Sequence, residues 1–95
     1  MQRPNLPFLA FLILAVASGA GAFAQDGEFQ RVVNEAKSAY EAGEYESAER
    51  LYKDALEMDE ENAALYYNLG NPYYDTGRFS EAIAAYENSI ERGAR

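Results

Sequence analysis

A displacement of 34 positions brings this chain onto itself: Tyr40 falls on Tyr74, Gly43 on Gly77, Ala48 on Ala82 and Tyr52 on Tyr86. Asn34 falls likewise on Asn68 and Glu57 on Glu91, with Tyr45/Phe79, Leu56/Ile90, Ala36/Gly70 and Glu41/Asp75 as near-equivalents. A fixed period of this length marks a stacked-repeat architecture, in which each unit is one supersecondary element that buries its apolar face on the next. Such a chain has no need of a single large core, and its function follows from a surface built by repetition.

The apolar spacing inside each copy is helical. Val32, Val33, Ala36, Ala39 and Tyr40 recur three and four apart, one face of a helix predicted over Glu28–Ala42 with Asp26 and Gly27 as candidate caps. Gly43 ends it, because a positive φ costs glycine nothing. A second helix is predicted over Glu46–Glu57, turning Ala48, Leu51, Tyr52, Ala55 and Leu56 inward, followed by a polar link from Met58 to Asn62. The second copy repeats the plan: Ala63–Thr76, a turn at Gly77, then Ser80–Arg92 with Ser80 as N-cap and Gly93 as stop. The fold class is therefore all-α, with four antiparallel helices. Ala36/Gly70 and Ala48/Ala82 stand where the two helices of a unit cross, and a bulky residue there would cost about 1–3 kcal/mol in overpacking. Tyr52/Tyr86 and Leu56/Ile90 fill the seam between neighbouring units.

The second copy carries Leu69-Gly70, Tyr73, Gly77, Phe79, Ala82, Tyr86 and Ile90, and in these residues the chain resembles the tetratricopeptide repeat (TPR) family. The resemblance implies two helix–turn–helix units, about 29–62 and 63–95, stacked as a short solenoid that binds proteins rather than catalysing reactions. The stretch Ala63–Asn71 is also similar to the repeat segment of Bat-type aerotolerance proteins, which are envelope-associated. Two departures stand out. Glu60 and Ala94 occupy positions where the family has proline after the second helix of a unit. Pro72 sits inside a predicted helix where the family has alanine; proline removes the bond to the Asn68 carbonyl and clashes with it, and it pushes Asn71 away from helical angles. A kinked, locally weakened helix is expected there.

The resemblance also implies where a partner binds. The family's concave groove is lined by the first helix of each unit, which on this chain gives Val33, Lys37, Tyr40 and Glu41, then Tyr67, Asn71, Tyr74 and Asp75. Tyrosines, an asparagine and a lysine can grip an extended peptide by stacking and by hydrogen bonds to its backbone. One subclass of the family clamps acidic C-termini with lysines and asparagines over three repeats. Asn68 matches one clamp position, but Val33 and Lys37 replace the first-unit lysine and asparagine, and Glu41 and Asp75 would repel an acidic tail. This groove is not a carboxylate clamp.

The front of the chain is a different object. Phe8–Ala17 is an unbroken apolar run of ten residues, preceded by Arg3 and followed by Ser18, Gly19, Gly21 and the small-x-small end Ala22-Phe23-Ala24. That arrangement reads as a secretory signal peptide cleaved after Ala24, leaving 25–95 as the repeat domain. The alternative is an anchor over residues 8–24, short of the roughly 20 apolar residues a spanning helix needs. The expected location is periplasmic or secreted.

Composition narrows the chemistry. Without residues 1–24 the chain keeps seven basic residues against all sixteen acidic ones, a net charge of −9. Such a field repels nucleic acid and anionic membrane surfaces and favours basic partners. There is no histidine and no cysteine, which removes the commonest general base, the thiolate nucleophile and the usual transition-metal ligands. Asp59-Glu60-Glu61-Asn62 lacks the ligand spacing and internal glycine of a calcium loop and reads as a solvated link. No enzyme activity, metal or cofactor is expected. The expected function is an exported adaptor that binds a protein or peptide in the groove. The alternative is a structural subunit of an envelope complex, docked through the last helix. Tyr86 and Ile90 stand where a third unit or a cap would pack, so self-association, a partner or a longer parent chain is also expected.

Overall fold

The structure, a computed structural model, describes residues 27–94. Four helices follow one another: α1 over 27–41, α2 over Tyr45–Met58, α3 over Ala63–Asp75 and α4 over Phe79–Gly93. They form two hairpins, α1–α2 and α3–α4, with α3 packed against both α2 and α4. The apolar leader, its cleavage position and the candidate cap Asp26 lie outside the described residues. Among the described residues, no helix is long and apolar enough to cross a membrane.

The two hairpin turns are built identically. At the first, the Gly43 N–H donates to the Tyr40 carbonyl at 3.0 Å and the Glu44 N–H to the Ala39 carbonyl at 2.8 Å. At the second, Gly77 donates to Tyr74 at 3.0 Å and Arg78 to Tyr73 at 2.8 Å. This paired closure satisfies the last carbonyls of the helix and needs a left-handed residue at its hinge. Gly43 and Gly77 supply it, at φ +80° and +79°.

Helix starts differ in part from the sequence reading. Gly27 is exposed and already helical, not a cap. Ser80 is not the N-cap of α4: the turn at Gly77 uses Arg78, the helix resumes at Phe79, and the Arg78 carbonyl takes the Ala82 N–H at 3.0 Å. Asn62, expected only to belong to the link, caps α3 through its side chain, which accepts the Leu65 N–H at 3.1 Å. Met58 is the last residue of α2, and Gly93 the last of α4 with Ala94 at the cap.

The core is a thin seam of small and aromatic residues. Ala36, Ala48 and Ala55 are fully enclosed, with Ala82 and Ala85 close behind, and Val32, Tyr52, Leu65, Leu69 and Tyr73 fill the space between. Short side chains let the helix backbones approach, so the aromatic rings can reach across. Polar contacts then tie the two hairpins. Arg78 reaches back to Glu49 at 2.6 Å and lies over the Tyr73 ring, 4.6 Å from its centroid. Burial pushes the Glu49 carboxyl up, but hydrogen bonds from Arg78 and Lys53 outweigh it and hold the group below its ordinary value. At the other end, Arg92 donates to the Glu60 carbonyl at 3.3 Å and covers the Tyr66 ring at 4.4 Å.

Helix α3 runs through Pro72 without a break. The Pro72 ring is wholly enclosed, and its carbonyl accepts from both the N–H (3.1 Å) and the hydroxyl (2.8 Å) of Thr76. Replacing Pro72 by alanine restores a helix-interior N–H, a gain of about 3 kcal/mol. It also removes two buried methylenes, a loss of about 1.6 kcal/mol. The balance is a gain of about 1 kcal/mol, so the melting temperature of Pro72→Ala should rise by about 4–8 °C. An unchanged or lower midpoint in a calorimetric scan would mean that packing around the ring outweighs the backbone term.

Candidate functional site

Tyr67, Asn71 and Tyr74 stand at i, i+4 and i+7 of α3 and therefore share one helix face. Tyr67 and Tyr74 are more than half exposed, at 55% and 59%. Neither ring stands alone. Tyr67 lies against Tyr86 of α4 with centroids 5.5 Å apart, and Tyr74 meets Phe79 edge-on at 5.3 Å. The Tyr86 hydroxyl donates to Asn71 Oδ1 at 2.5 Å. That bond fixes the amide and leaves its NH2 as a donor beside the two rings.

The first hairpin contributes the same device one period earlier. Tyr40 of α1 packs on Tyr45 of α2 at 5.5 Å, the counterpart of the Tyr74–Phe79 pair. Its hydroxyl donates to Asp75 at the end of α3, so the two hairpins are joined on this face by a phenol–carboxylate bond. That hydrogen bond, helped by burial, pushes the Tyr40 phenol up to about 12. The raised value means the protonated phenol belongs to the folded state, so the link is complete below the ordinary tyrosine value of about 10 and is lost as pH rises towards 12. Lys37 and Glu41 are exposed beside it. Val33, expected to line the groove, is instead buried in the core, its place on the face taken in the second hairpin by Tyr67. Asn68 is half-buried.

Tyr86 and Phe79 are what the sequence reading missed. From sequence, Tyr86 is expected to pack and Phe79 to belong to the repeat pattern, yet both rings flank the α3 residues. The signal was present: each stands one period after a tyrosine, Tyr52 and Tyr45. Ala36, Ala48 and Ala82 are buried, Gly70 lies under the Tyr86 ring, and Tyr52 is 3% exposed. A separate open cleft lined by Gln30, Asn34, Ser38, Ser47 and Arg50 contains none of the exposed rings. Among the described residues, no group of histidine, cysteine or carboxylate side chains could hold a metal ion.

The arrangement is thus a row of aromatic faces with one amide donor, a lysine and two carboxylates, on the side where α1 and α3 meet. It can stack and hydrogen-bond; it has no nucleophile–base pair. A family profile for the tetratricopeptide repeat matches residues 33–94, about two thirds of the chain. The chain belongs to the tetratricopeptide repeat family. As a tetratricopeptide repeat protein it is a protein-interaction module, and repeats of this family typically serve as interaction scaffolds. The chain is also similar to Hsp70-Hsp90 organizing protein 1 of Glycine max, with 34% identity over 56 residues. The matched stretch is 59% of this chain and 10% of that relative, so the similarity spans about a tenth of the relative's length.

Proposed function

We propose that the protein is an exported adaptor that holds an extended peptide or protein segment on the α1/α3 face. The observation that carries this reading is the repeated aromatic pair, Tyr40–Tyr45 and Tyr74–Phe79, with Tyr67, Tyr86 and Asn71 between them. Rings held in place by neighbours bind with little loss of rotamer freedom, and aromatic residues of this kind act as interface anchors. The relative's name joins it to Hsp70 and Hsp90, but the α1/α3 face suits a different ligand. Glu41 and Asp75 flank it and Lys37 is its one cation among the described residues, so an acidic tail is disfavoured and a neutral or basic segment is preferred. Residues 1–24 are proposed to direct export and then to be removed.

The experiment expresses the whole chain with its leader, recovers it from the exported fraction and captures its partner by crosslinking. The recovered mass should correspond to a chain starting at Gln25; retention of residues 1–24 in the membrane fraction would favour the anchored alternative. Tyr67→Ala and Tyr74→Ala should each weaken capture about tenfold, while the loss of stability is limited to the ring contact with Tyr86 or Phe79, about 0.5–1.5 kcal/mol. Capture that survives the double variant would remove the groove from the account. A second reading, docking of the molecule through α4 into a larger envelope assembly, is favoured by a different observation: Ile90 is 71% exposed where its counterpart Leu56 is 9%.

A further inference from the structure

In the first hairpin, Glu49, Lys53 and Leu56 are among the α2 residues that meet the second hairpin. Glu49 takes Arg78, Lys53 lies over the Tyr73 ring at 5.7 Å, and Leu56 is buried beside Tyr66. One period later the same register on α4 holds Ile83, Glu87 and Ile90. Ile83 and Ile90 are 57% and 71% exposed, two turns or about 10 Å apart on one face. Two changes therefore separate this face from its covered counterpart. A carboxylate has become isoleucine, and the lysine between the two flanking positions has become glutamate. The first makes the stripe more apolar; the second reverses the sign of the charge at its centre.

We propose that this face of α4 binds an amphipathic helix of another protein, one that sets an apolar stripe on Ile83 and Ile90 and a lysine or arginine against Glu87. The geometry of the occupant follows from α3, the helix that lies on the homologous surface of α2. Its charge follows from Glu87 and from the strongly acidic character of the repeat region. A second copy of this chain fits poorly in either orientation. Stacked head to tail, it would offer α1, which has Arg31, Glu35 and Ala39 where α3 has Leu65, Leu69 and Tyr73, and Arg31 and Glu35 are already paired with each other at 2.9 Å. Stacked α4 on α4, it would bring Glu87 to the same face as its own copy. The inference rests on the reading that α4 is a docking face and is independent of the groove.

The test uses the full chain, labelled for NMR, and two synthetic amphipathic helices of about 18 residues with the same leucine stripe. One is flanked by lysine and the other by glutamate. The lysine-flanked helix should shift the amide signals of α4 around Ile83, Glu87 and Ile90, bind about tenfold more tightly than its glutamate twin, and weaken as salt is raised. Ile83→Asp and Ile90→Asp should remove the binding while leaving the spectrum folded, since both side chains are exposed. Glu87→Lys should reverse the preference between the two helices. Equal binding of both helices at α4 overturns the basic partner and leaves α4 as a docking face. Shifts confined to α1 and α3, or none, overturn both ideas. Concentration-dependent dimerisation abolished by Ile90→Asp replaces the partner helix with a second copy.

Discussion

Tyr52→Ala is expected to cost about 3–5 kcal/mol, the range for removing a buried aromatic ring. That is most of what holds a two-hairpin array of this size together. The ring is 3% exposed and lies in the core beside Ala36, Ala48 and Ala55, residues too short to close over the space it leaves. Burial also pushes its phenol up, consistent with a side chain removed from water along most of its length. Tyr86 stands at the same position of the second hairpin but is only half-buried, so Tyr86→Ala should cost less than half as much. Chemical denaturation followed by circular dichroism reads both. Equal losses for the two variants would show that position within the repeat, rather than enclosure by the neighbouring hairpin, sets the contribution of the ring.

The contrast between Tyr52 and Tyr86 also explains how much of the molecule could be read from its residues. The four helices were legible because the period, the glycines and the alanine crossings all repeat. Gly43 and Gly77 fix the hinge chemically, since few other residues take that backbone angle without strain. The N-terminal boundaries were less legible. Ser80 has the composition of a cap, but the paired hydrogen bonds at Gly77 close the turn within three residues, Thr76 to Arg78, and the helix has restarted before Ser80 is reached. Asn62 performs the capping that its link position concealed.

The site was legible as far as one helix allows. Spacing alone puts Tyr67, Asn71 and Tyr74 on a common face. It does not show what lies across from them, because that depends on the angle at which α4 crosses α3. From sequence Tyr86 is therefore only a packing residue, although it both stacks on Tyr67 and holds Asn71. Val33 shows the same limit from the other side. It is at the register of Tyr67, but a short branched side chain at that register stays within the core and does not reach the surface. The Tyr40–Asp75 bond joins residues one period plus one position apart, an offset that arises from the stacking of the units and from nothing within either of them.

Gly70 connects this packing to the α1/α3 face, and its replacement by alanine carries the second large expected effect. A Cβ there would lie 2.5 Å from Cε1 of Tyr86 and 2.8 Å from Cδ1 and Cζ, well inside contact distance. The ring would have to swing away, giving up its bond to Asn71, a net contribution of about 1 kcal/mol, and its contact with Tyr67, about 0.5–1.5 kcal/mol. Against that, alanine is the better helix former by about 1 kcal/mol. Gly70→Ala should therefore destabilise the protein by about 1 kcal/mol, and Gly70→Leu by about 1–3 kcal/mol. The decisive measurement is the same change made in the Tyr86→Ala background. With the ring gone nothing stands over Gly70, the helical preference acts alone, and the substitution should become stabilising. A coupling of about 2 kcal/mol between the two positions is expected, large for a pair of residues in contact. If Gly70→Ala has the same sign in both backgrounds, the ring is not what requires glycine at this crossing. The single variant should also weaken capture of a partner on the α1/α3 face, because a displaced Tyr86 leaves Asn71 and Tyr67 without the neighbours that hold them.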